Sequence, residues 1–223
     1  MTRLMRMVLA VTLVFVIGAE AKAGTVAVSL FGGLPLTYAK YAVSSNAVEF
    51  VDTKLDDVSL LTGARLIWMF SNPSFIGVDV SARRYRMDLE SGREDLGTVE
   101  ITPVLVGVTF RKVRQDPGLA AHGGLAMGIG LNNLAKTAYL DSLEAIDPVD
   151  PTDPGLNVRV KTSFAMDFDF GLDYFLTRFL AVGAVVRFEG CSVPTDGWHG
   201  VEHLYIESSN FQFTLATTFW LRS

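Results

Sequence analysis

Asp167, Asp169 and Asp173 stand at two- and four-residue spacing inside a run that alternates apolar and polar residues, so in an extended strand all three project from one face. Arg65, Asp79, Arg83, Arg111, Arg159, Arg187 and Glu189 take the polar phase of this and other alternating runs. Charges of both signs turned to one side of a sheet are costly to bury unless they pair. The chemistry these ten residues predict is therefore ion pairing inside a narrow interior, with a path for ions or small solutes past the same residues as the sharper alternative.

A second group of reactive side chains gathers near the last long connection: His199, Glu202, His203, Glu207, Ser208 and Ser209. Serine, histidine and carboxylate are the ingredients of acyl transfer, in which the base must reach the nucleophile and the acid must orient the base. Ser208-Ser209-Asn210 begins five residues beyond His203 and no His-X-Ser-Asn arrangement occurs, so no catalytic residue is assigned. A deacylase-like lipid hydrolase is the alternative. His199 and His203, four residues apart, would align as metal ligands on a helix but not on a strand or loop, and neither metal nor cofactor is expected. His122, in phase with Gly124, is expected to face the interior near a rim. Cys191 is the single cysteine, which excludes an intrachain disulfide and reads as a partly buried thiol.

Strands must position these groups. Val158, Val160, Thr162, Phe164, Met166, Phe168, Phe170, Leu172 and Tyr174 alternate with Arg159, Lys161, Ser163, Ala165, Asp167, Asp169, Gly171 and Asp173. The same period of two recurs at 25–30, 64–70, 76–83, 104–111, 124–131, 180–189 and 211–219, which brings the strand count to eight. After residue 23 no stretch holds 18 uninterrupted apolar residues, so helical spans are excluded by length.

The connections alternate in length. They are short at Ser71-Asn72-Pro73-Ser74, at 112–118 and at Phe175-Leu176-Thr177-Arg178, and long at 32–58, 86–97, 132–157 and 190–204. Short turns on one rim and long polar loops on the other are how outer-membrane barrels are built. The expectation is an all-β chain forming an eight-stranded antiparallel up-and-down transmembrane β-barrel over residues 24–223, with both termini on the short-turn rim.

Alternation alone does not say which face turns inward, since a soluble periplasmic ligand-binding barrel has the same period with an apolar lumen. The polar face decides: it is crowded with glycine and alanine between the charges, as a narrow interior requires. The opposite face is almost free of charge, and Trp68, Phe70, Phe75, Phe110, Tyr174, Phe175, Phe179, Phe219 and Trp220 gather near strand ends, as in interfacial girdles. The apolar face is thereby assigned to lipid. Eight strands enclose a lumen that side chains just fill, which disfavours a wide water channel.

The hairpin Gly171-Leu172-Asp173-Tyr174-Phe175-Leu176-Thr177-Arg178-Phe179-Leu180-Ala181-Val182 and the final strand Phe211 to Leu221 resemble the small outer-membrane barrel families of outer membrane protein W, the outer membrane protein A transmembrane domain and the opacity-like proteins. The resemblance implies a bacterial outer membrane, and as partners outer-membrane lipids, lipopolysaccharide and the barrel-assembly machinery. It also implies a structural or surface-interaction role, or narrow passage for small solutes, a small apolar solute among them. The chain departs from these families by ending Phe219-Trp220-Leu221-Arg222-Ser223 rather than on the aromatic residue that the assembly machinery reads.

The N-terminus has three parts: Arg3 and Arg6, an apolar run from Met7 to Ile17, and small residues ending Ala21-Lys22-Ala23. The run is about half the roughly 20 residues of a membrane-spanning helix, so residues 1–23 read as a secretory signal cleaved after Ala23. Nineteen basic against 24 acidic residues, a formal net charge of −5 with no basic run, exclude nucleic acid as a partner.

Overall fold

The computed structural model describes residues 25–43, 60–70, 75–91, 94–114, 116–146, 155–197 and 204–222. The expected signal, 1–23, and His199, Glu202 and His203 lie outside these residues. In chain order the elements are β1 (Thr25–Val43), β2 (Leu61–Met69), β3 (Ile76–Ser91), β4 (Glu94–Arg111), β5 (Gly118–Lys136), α1 (Ala138–Ile146), β6 (Arg159–Val160), β7 (Ser163–Thr177), β8 (Leu180–Asp196) and β9 (Leu204–Arg222). Each long strand pairs antiparallel with the next, and β9 returns to β1 from Thr25↔Arg222 to Val43↔Leu204. Eight long strands thus close a ring, the up-and-down barrel that the alternating pattern calls for. β6 is a two-residue addition to the wall, pairing Arg159↔Asp196 and Val160↔Thr195.

The faces of the strands change character along their length. On β3, outward Ile76, Val78, Val80 and Ala82 give way to Arg84, Arg86 and Asp88, while inward Asp79, Ser81 and Arg83 give way to Tyr85 and Met87. On β4 the outward series Phe110, Val108, Val106, Val104 ends in Thr102 and Glu100, and inward Arg111 and Thr109 give way to Leu105, Ile101 and Val99. The lower part of the barrel, next to the short turns, is greasy outside and carries the buried charged residues inside. The upper part is the reverse, like an ordinary water-soluble domain. A belt of exposed Leu, Val, Ile, Met and Phe circles the lower part, with Val106 58% and Leu215 63% exposed.

This inversion explains why the strands run further than the belt pattern predicts. The expected loop 86–97 is strand in β3 and β4 on both sides of residues 92–93, β1 continues to Val43, β5 to Lys136 and β8 to Asp196. Within the expected loop 132–157 lies α1. Thr137 caps it, its hydroxyl accepting from Leu140 N at 3.4 Å and its carbonyl from Asp141 N at 3.0 Å. Asp141 in the first turn suits the positive end of the helix dipole. The helix is pinned by Lys136 Nζ to Glu144 Oε1 at 2.7 Å and by Val158 N donating to Glu144 Oε1 at 2.8 Å, and it drives fully buried Leu140 into the top of the barrel.

Two apolar cores fill the ends of the interior. The upper one includes Phe31, Leu61, Tyr85, Met87, Ile101, Leu105, Leu140 and Val193. The lower one comprises Ala27, Ile67, Met69, Ala120, Phe175, Ala181 and Trp220. Phe175 and Trp220, expected in the outer girdle, face inward at 0% and 1% exposure and stack with centroids 5.9 Å apart. The reason is the strict alternation of a strand: with Phe219 outward at 48% exposure, Trp220 must turn in.

Candidate functional site

Between the two cores the lumen is crossed by a layer of charge. β2 and β3 supply Arg65, Asp79 and Arg83, β4 supplies Arg111, β7 supplies Asp167, Asp169 and Asp173, and β8 supplies Arg187 and Glu189, all at positions whose phase turns them inward. Each is at most 5% exposed. Arg65 Nη2 meets Asp79 Oδ2 at 2.7 Å on the neighbouring strand, and its Nη1 meets Asp169 Oδ2 at 2.8 Å across the barrel. Arg83 bridges Asp167 and Glu189, its Nε lying 3.0 Å from Glu189 Oε2. Arg187 Nε approaches Asp167 Oδ2 to 3.5 Å, and Arg111 Nη1 approaches Asp173 Oδ2 to 3.1 Å.

Two groups complete the layer. Tyr85, at the floor of the upper core, donates its hydroxyl to Glu189 Oε1 at 2.7 Å. His122 on β5 is 2% exposed and places Nδ1 3.0 Å from Asp173 Oδ2, inside the lumen as its phase with Gly124 required. Rings shield the layer above and below, with Arg187 4.6 Å from the centroid of Phe31 and Arg111 5.7 Å from that of Trp220. Small residues make room for it: a Cβ built on Gly124 would come within 2.9 Å of Arg65 Nη2 and 3.3 Å of both Asp169 carboxylate oxygens.

The structure gathers nine of the ten charged candidates in this layer and leaves Arg159 out. Arg159 is exposed on β6, with Nε donating to Asn157 Oδ1 at 3.4 Å. It lies above the inversion, where Val158, 1% exposed, is the inward residue. Extrapolating the phase of β7 back through 161–162, which break the strand, assigned Arg159 to the wrong face. Tyr85 was not a candidate, although its place two residues beyond Arg83 on the same strand face was a usable signal.

Chemically the layer is a cross-brace. Arg65 to Asp169 and Arg83 to Asp167 tie β2 and β3 to β7 on the far wall, so opposite sides of the barrel are joined through its axis. Every guanidinium in it lies within 4.0 Å of a carboxylate, and those of Arg65 and Arg83 hydrogen-bond to theirs. Cys191 is buried above it, with Ser163 Oγ 2.9 Å from its sulfur. Of the residues weighed for catalysis, Glu207, Ser208 and Ser209 lie in β9, paired with Lys40, Ala39 and Tyr38 of β1 rather than in a loop. Among the described residues no group of three or more His, Cys, Asp or Glu is arranged to hold a metal.

No family model and no curated protein matches the sequence. Solved structures do match. The outer membrane protein OprG of Pseudomonas aeruginosa superposes with a TM-score of 0.65 at 13% identity, over 91% of this chain and 98% of that one. The chain has the fold of the small outer-membrane β-barrels. Outer membrane protein AlkL, solved in DMPC lipid bilayers, matches with a TM-score of 0.54 at 15% identity over 92% of this chain and 93% of that one. The outer membrane protease OmpT of Escherichia coli matches with 0.50 at 9% over 90% of this chain and 98% of that one. The barrel therefore shares its backbone plan with a protease as well as with OprG and AlkL, so an assignment of role has to come from the interior and the rims.

Proposed function

We propose that the chain is an integral protein of a bacterial outer membrane, exported by a signal cleaved after Ala23, whose barrel is closed by its own side chains and serves a structural and surface-presenting role. The observation that carries this reading is the charged layer sealed between two apolar cores. The exposed apolar belt supports the membrane assignment, because its side chains have no protein to cover them and lipid is the solvent they suit. Lipids and lipopolysaccharide are the surroundings of such a belt, and the assembly machinery is the route into it.

The reading is tested by reconstituting the purified barrel in planar bilayers. The expected trace has no stepwise openings. Ohmic steps in neutral salt would overturn the closed lumen and favour a pore.

Narrow passage of a small apolar solute is the second reading, favoured by the apolar upper interior under Leu140 of α1. It predicts that Leu140→Asp alters entry of such a solute into protein-loaded vesicles, while the closed reading predicts entry at the rate of empty vesicles for either protein.

A further inference from the structure

We propose that the short-turn rim carries a docking arc for the anionic headgroups of phospholipids in the leaflet it meets. The proposal rests on the reading of the exposed belt as membrane-facing. The β4–β5 connection bears Lys112 and Arg114 and the β7–β8 turn bears Arg178, against one acid, Asp116. The pairing Gly118↔Phe175 sets these two connections side by side. Trp220 N donates to Phe179 O at 2.8 Å, which brings the end of β9, and with it the position of Arg222, against the second turn. The bases therefore fall on one continuous arc of rim, in a chain whose formal net charge is −5.

The opposite rim is different in kind. There Arg84 pairs with Glu100, Lys136 with Glu144 at 2.7 Å and Lys161 with Asp196 at 2.7 Å. Lys112 and Arg178 are exposed and form no ion pair among the described residues.

Their surroundings fit a lipid rather than a soluble anion. The guanidinium carbon of Arg178 lies 4.4 Å from the ring centroid of Phe179, which is 47% exposed at the lower edge of the belt. Lys112 borders an open groove on the outer wall lined by Phe75, Phe110 and Ala121 and backed by Arg111 and His122. A cation at the water boundary with an aromatic wall on its membrane side offers a phosphate partner and an acyl-chain partner together. Clustered Lys and Arg near a bilayer surface favour anionic lipid by about 1 kcal/mol each, so two of them correspond to roughly a thirtyfold preference.

The test uses the full chain refolded into vesicles of phosphatidylcholine with a minority of phosphatidylglycerol, with retained lipid read by native mass spectrometry. Wild type should retain phosphatidylglycerol well above its bulk fraction. Lys112→Gln with Arg178→Gln should lower that enrichment about thirtyfold, while Lys112→Arg with Arg178→Lys should keep it. If the glutamine variant fails to fold, salt decides on wild type alone: raising ionic strength to ~1 M, where the screening length is about 3 Å, should abolish the enrichment. Retention of phosphatidylglycerol by wild type at no more than its bulk fraction, or undiminished enrichment in the glutamine variant or at high salt, would overturn the arc. Failure of wild type to insert even into pure phosphatidylcholine would overturn the membrane reading with it, whereas insertion without lipid preference would sink the arc alone.

Discussion

Replacing Arg83 by methionine is the perturbation that reports most directly on the charged layer. Its side chain is fully buried, and it is the only guanidinium within 4.0 Å of Glu189 among the described residues. The layer holds four guanidiniums, those of Arg65, Arg83, Arg111 and Arg187, against five carboxylates, those of Asp79, Asp167, Asp169, Asp173 and Glu189. Arg83→Met leaves three against the same five. Asp167 keeps Arg187 at 3.5 Å, but Glu189 keeps only the hydroxyl of Tyr85 at 2.7 Å. Stranding one member of a buried pair costs about 3–5 kcal/mol, and most of that should fall on Glu189. Arg83→Met with Glu189→Gln removes the stranded charge and should recover roughly 2–3 kcal/mol of the loss. Urea unfolding in lipid vesicles, followed by tryptophan emission with buried Trp220 as the interior reporter, gives both numbers. A loss below about 1 kcal/mol for the single variant, or a double variant no more stable than the single, would refute the account of the layer as an obligatory cross-brace.

Three further outcomes are expected. Leu215→Arg places a charge in the middle of the exposed belt, where Leu215 is 63% exposed, and should cost about 2–4 kcal/mol in vesicles, measured by the same titration. Gly171→Ala should cost about 1–3 kcal/mol, because the new Cβ would meet His122 Nε2 at 2.6 Å and the Ala184 carbonyl at 2.8 Å, pressing the imidazole away from Asp173; the His122 ring proton shifts should move with it. Cys191, 4% exposed, should resist a maleimide in the folded barrel and label fully after boiling, as read by intact mass.

The sequence made the belt legible and its upper continuation illegible, for one physical reason. Within the belt, Phe164 to Tyr174 present apolar residues outward and Ala165 to Asp173 small or charged residues inward, and period two is unmistakable. Above it the period persists but the phase of polarity reverses, as at Arg84-Tyr85-Arg86-Met87, so strands looked as though they ended where only their environment changed. Arg159 was misplaced because residues 161–162 break the strand and shift its phase, and α1, whose signs were Thr137 as a cap and Leu140 and Leu143 at helical spacing, lay within a connection read only as a long loop. The lumen charges were readable because a buried charge between glycines and alanines has few other reasons to be there. Which partner each would choose was not readable: Arg65 and Asp169 are 104 residues apart and meet only because the ring closes.

The measurement that tests the central claim most directly is gel mobility of the protein in outer-membrane fractions, with and without boiling in detergent. The account predicts a membrane-fraction band that migrates differently when unboiled, because a closed barrel braced through its lumen resists unfolding by detergent. A protein recovered from the soluble periplasm, with identical mobility before and after boiling, would contradict it.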